Sequence, residues 1–199
     1  LQQIFIFLVL ILIFLSCGIF TSGYREYQTA KKLYKKQHNY QAALHASKSL
    51  KINSKNMRVL KLFEKSYLLA VKQQKSNIID LEGVKDNSKW PKLYYAYDRL
   101  QNLSNEVISL KPIVESENMN APAFLRYRMD LTTQDYNMEL TKISPLAADY
   151  QYKKGLEHRK KKDKENQKIA AKAFKSAQQF MPNYKNSKAL YDETRSAAL

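Results

Sequence analysis

Glycine and proline are scarce in this 199-residue chain, with four and five copies. Turns need these residues and helix interiors exclude them, so the shortage predicts few turns and long helices. Cys17 is the only cysteine, which rules out an intrachain disulfide. The histidines are His38, His45 and His158, and no Cys, Asp or Glu completes a metal set with them, so they read as surface residues. There is no glycine-rich phosphate loop and no zinc-protease motif, and nothing suggests a Ser-His-Asp site. Glu106, Glu115 and Glu117 sit among polar neighbours and read as solvated-face residues. No catalytic residue, metal, cofactor or small-molecule substrate is therefore expected. Acids are under-represented too: 18 against 34 Lys and Arg, a formal charge of +16. Such a charge attracts lipid headgroups, nucleic acid or acidic protein faces. The lysines are spread along the chain, which equally suits a solvated helical surface.

No charge precedes Arg25, and Ile4 to Leu15 is an unbroken apolar run of 12 residues. A membrane span needs about 20 apolar residues, whereas 12 suits a signal-peptide core. Directly after it, Phe14-Leu15-Ser16-Cys17-Gly18 resembles a bacterial lipobox, although Phe14 and Leu15 depart from its usual residues. The resemblance implies that residues 1–17 are a lipoprotein signal peptide, with Cys17 lipidated as the mature N-terminus. An uncleaved membrane anchor is the other reading. Residues 18–23 then form a tether. Lipoproteins retained at the inner membrane commonly carry Asp after the cysteine; Gly18 stands there instead, which implies the periplasmic face of the outer membrane.

From Tyr24 the apolar residues recur at steps of three and four, the period of a helix. "QHN" and "NSKN" break successive runs, and Ile78, Ile79 and Leu81 mark a fourth, short run. Asn87 or Ser88 is placed to cap the next helix, with Pro91 tolerated in its first turn. Residues 24–110 thus form an N-terminal helical region. Residues 111–132, with two prolines and no sustained period, read as an irregular connection. Residues 133–199 form a C-terminal helical region, in which Pro145 should kink or divide a helix and "HRKKKDKENQ" reads as a charged connection.

Ala170, Phe174, Ala177 and Pro182 fall at the spacing Ala-x3-Phe-x2-Ala-x4-Pro. Small residues let two helices approach, the aromatic fills the groove, and proline stops the helix. Gly155 suits the small position of the preceding helix. This pattern resembles the tetratricopeptide repeat, a helix-turn-helix unit of 34 residues. Tyr34, Tyr40 and Ala43 fit a weaker first copy, and the turn before the second copy is about three residues longer than the consensus. The expected fold is all-α: a tetratricopeptide-like solenoid behind an N-terminal hydrophobic signal or anchor segment. Solenoids of stacked helix pairs expose a groove that takes extended peptides or helices.

The densest basic stretch holds Lys153, Lys154, Arg159, Lys160, Lys161 and Lys162, suited to anionic lipid or an acidic partner, or simply solvated. Tyr94, Tyr95 and Tyr97 suit a groove lining or core. The whole resembles a tetratricopeptide lipoprotein of a Gram-negative envelope. That resemblance implies a non-catalytic scaffold that binds a protein partner in an envelope assembly or secretion complex and meets the membrane through its lipid. Export would remove it from nucleic acid. Two alternatives stay open: an inner-membrane adaptor with an uncleaved span, and the stalk of a larger enzyme, since "ETRSAAL" ends within a helical pattern.

Overall fold

The computed structural model describes residues 22–118 and 128–199, which hold seven helices and no strand. Helix α1 covers 22–35, followed by α2 (Asn39–Ile52), α3 (Met57–Glu82) and α4 (Lys89–Asn118). Beyond residue 128 come α5 (Asn137–Lys160), α6 (Lys164–Phe180) and α7 (Ser187–Ala197). The all-α expectation holds across these residues. Segment 1–17, including Cys17, lies outside them, as does the tether up to residue 21.

The described residues divide into two compact units: one holds those up to Gln73 with those within Asn102–Gln134, the other Gln74–Gln101 with Asp135–Leu199. Helices α3 and α4 each contribute to both. In the first unit, Val59, Leu60, Phe63, Tyr67 and Ala70 of α3 meet Leu103, Val107, Leu110 and Val114 of α4. Both sets follow the i, i+3, i+4 rule of a buried helix face. Ala30, Ala43, Ala46 and Leu50 complete this core from α1 and α2.

Helix α1 ends without glycine. Gln37 takes a left-handed φ of 61°. Its N–H bonds the Tyr34 carbonyl at 2.9 Å, and the His38 N–H bonds Leu33 at 3.0 Å. This is the Schellman arrangement, which satisfies carbonyls that the helix end would otherwise orphan.

Several expected breaks are absent. Gly23 is buried in α1 rather than part of a tether; a Cβ there would lie 3.2 Å from Ile52 Cγ2, and its carbonyl accepts from Ser49 Oγ at 2.8 Å. The third and fourth apolar runs are one helix, α3, because no glycine or proline interrupts residues 57–82. Helix α4 passes through Pro112 to Asn118, eight residues into the stretch expected to be irregular. Proline removes one ladder bond, while Leu110 and Val114 on either side are fully buried. Helix α5 likewise runs through Pro145 undivided, with Ile143, Ala147 and Ala148 buried around it.

Residues 128–134 lie against the first unit without regular structure. Met129 is fully buried in its core. Tyr67 donates to the Thr132 carbonyl at 2.7 Å, and Ser104 donates to Gln134 at 2.9 Å, so the segment is tied to both long helices.

Candidate functional site

Helix α6 packs between α5 and α7 in the second unit. Its buried face is Gln167, Ala170, Ala171, Ala173, Phe174, Ala177 and Phe180. The two helices approach closely at Gly155, where a Cβ would lie 2.6 Å from Phe174 Cε1. A glycine is required there by space, since no side chain fits between α5 and the Phe174 ring. The ring is fully buried and meets Tyr152 edge-on at 5.8 Å, with Leu156, Leu190 and Tyr191 around it. Ala170 and Ala177 are fully buried one turn either side. Pro182 is exposed and follows the α6 cap, Met181. Of the residues picked out by spacing, Ala170, Phe174 and Ala177 lie on the buried face of α6, and Pro182 lies outside it.

In the first unit Ala43 is fully buried, Tyr40 is half-buried against the core, and Tyr34 is half-buried near the end of α1. Asn102 Nδ2 lies 3.5 Å from the Tyr40 hydroxyl.

The basic stretch is not a long loop. Helix α5 continues to Lys160 and α6 begins at Lys164, leaving three residues between. Asp163 caps α6: its carboxylate accepts the Asn166 N–H at 3.0 Å and the Asn166 side-chain amide at 2.7 Å, which holds it below the usual carboxylate range. Buried Gln167 donates to the carbonyls of Arg159 and Lys161, both at 3.1 Å, and so satisfies the end of α5. Apolar period reveals neither device; the local signal for the cap is an Asp three residues before Asn166.

The basic residues separate into two groups. Arg159 forms a fork with Glu193 of α7, with Nη2 2.7 Å from Oε1 and 2.9 Å from Oε2. Lys153 pairs with Asp149 at 2.7 Å. Lys154, Lys160, Lys161 and Lys162 are exposed. Asp149 also accepts from Tyr184 at 2.7 Å and from Lys185 at 2.8 Å. These hydrogen bonds, Lys153 and Lys185 first, hold its carboxyl far below the ordinary range, and the same contact raises Lys185.

Glu106 is a correction to the solvated-face reading. It is half-buried, accepts from Ser47 Oγ, and pairs with Lys51 at 2.7 Å. His45 Nδ1 lies 2.5 Å from Glu26, and His158 Nδ1 lies 2.7 Å from Asn166 Oδ1. Among the described residues, no three of His, Cys, Asp and Glu are grouped to hold a metal. No helix there is long and apolar enough to cross a membrane.

Tyr94 meets Phe180 edge-on at 4.9 Å, and Tyr95 lies 5.3 Å from the same ring while remaining 47% exposed. Tyr97 instead faces Tyr136 at 6.0 Å. No family model, curated protein or solved structure matches the chain.

Proposed function

We propose that the protein is a non-catalytic helical scaffold of the tetratricopeptide type, held by lipid on Cys17 at the periplasmic face of the outer membrane. There it binds a protein partner of an envelope complex. The observation that carries the reading is the Gly155–Phe174 contact. Small residues on α5 and α6 draw two helices together around one aromatic, and α7 stacks on the free side of α6. Stacking of this kind buries stripes that a single helix pair leaves open, and it leaves a polar outer face for a partner.

Two experiments test it in the full chain. Radiolabelled palmitate should enter the wild-type protein, and Cys17→Ala should take up no label and leave the membrane fraction. A labelled, membrane-bound Cys17→Ala removes the anchor from the proposal. Photo-crosslinkers at exposed Lys154 and Lys172 should each capture one discrete envelope protein in cells. Capture of nothing, from either site, removes the scaffold.

A further inference from the structure

The second unit contains a pocket of about 300 Å³ where the first turns of α4 and α5 meet the end of α3. Its floor is apolar: Leu93 is 2% exposed and Ile143 9%. The indole of Trp90 forms one wall, oriented by Nε1 donating to Asn87 Oδ1 at 3.2 Å. Tyr97 lines another side, backed by the Tyr136 ring.

Charges of both signs line the same space. Glu82 reaches it from the last residue of α3, and Glu139 from the first turn of α5. Tyr97 donates to Glu82 Oε1 at 3.4 Å. Burial, and then the Glu82 and Glu139 charges, raise the Tyr97 phenol above its ordinary value, so both carboxylates act on one point. Lys89 lies 4.9 Å over the Trp90 ring and donates to the Glu82 carbonyl at 3.4 Å. Lys142 stands one turn after Glu139 and lines the pocket as well. Among the described residues, Glu139 and Lys142 have no ion-pair partner, each other included.

Two acids and two bases therefore balance locally, in a chain whose formal charge is +16. A free cation is opposed by that overall charge and by both lysines. A free anion is opposed by both carboxylates. An uncharged apolar ligand offers nothing to the four charges, of which Glu82 and Lys142 are exposed and Lys89 and Glu139 half-buried. A zwitterion with an apolar side chain meets both signs of charge and the floor: its ammonium the carboxylates, its carboxylate a lysine, its side chain the floor and the indole.

We infer that this pocket binds a free α-amino acid with an apolar side chain. The ammonium is held by Glu82 and Glu139, the carboxylate by Lys142, and the side chain by Leu93, Ile143 and Trp90.

Trp90 is the only tryptophan in the chain, so its emission reports the pocket directly. The full chain is titrated with L-leucine, L-leucinamide and N-acetyl-L-leucine. L-Leucine should give a saturating change in emission, and each capped analogue should bind about tenfold more weakly, as for loss of one hydrogen bond to a charged group. Glu139→Gln should weaken L-leucine and L-leucinamide alike. Lys142→Met should weaken L-leucine and abolish its advantage over L-leucinamide. Both positions lie on a helix surface, and circular dichroism checks that the variants keep their helix. The inference is overturned by no saturable change up to about 10 mM, tenfold above a Kd of about 1 mM. Equal binding of all three ligands, or a wild-type response in both variants, overturns it equally.

Discussion

Gly155 of α5 and Phe174 of α6 touch so closely that a single added carbon at the glycine would lie 2.6 Å from the ring. Gly155→Ala should therefore destabilise the protein although alanine favours helix. Overpacking costs about 1–3 kcal/mol and the gain in helix propensity returns about 1 kcal/mol, leaving a net loss of up to about 2 kcal/mol. Phe174→Leu, itself destabilising, should recover part of that loss when combined with Gly155→Ala, giving a non-additive cycle in urea denaturation. Strict additivity would mean that the two positions do not share space.

Asp149 has three donors, and its carboxyl is held far below the ordinary value of 3.8. A depressed folded-state pKa stabilises the protein above the unfolded value and loses that stability as pH falls towards the folded one. Tm should fall as pH drops from about 5, and Asp149→Asn should make that fall shallower while lowering Tm at pH 7. Parallel Tm curves for the two proteins would show that Asp149 contributes no such linkage.

Met129 is fully buried although it belongs to no helix. Met129→Ala should cost about 2–5 kcal/mol, the range for truncating a buried side chain. Amide exchange should show segment 128–134 loosening with it. A cost near zero would mean that the segment does not dock on the first unit.

Gln167 closes the end of α5 by donating to two carbonyls at 3.1 Å. Gln167→Leu keeps the bulk and removes the donor, so it should cost about 1–3 kcal/mol by leaving acceptors unmet. The Arg159–Glu193 fork is more exposed, and its coupling in a double-mutant cycle should stay at or below about 1 kcal/mol. Both values come from chemical denaturation.

Much of the helical organisation was legible from period alone. Val59, Leu60, Phe63 and Tyr67 mark the buried face of α3, and Ala170, Phe174 and Ala177 mark that of α6. What escaped were effects that local sequence does not encode. Pro112 and Pro145 look like breaks, yet burial on either side keeps their helices continuous. The cap at Asp163 was hidden inside a run of lysines, so a three-residue connection looked like a long loop. Met129 has no period to betray it. Glu82 and Glu139 reach one pocket from different helices, and only the fold brings them together.

The turn joining α6 to α7 places Asn183 at φ 59° and Lys185 at φ 46°. Asparagine tolerates that region, but for lysine it costs about 1–2 kcal/mol. The contact between Lys185 and Asp149 offsets part of this penalty. The attachment of the last helix thus depends on ionic strength: concentrated salt screens the contact while the backbone penalty stays, so α7 should be the first part of the second unit to let go.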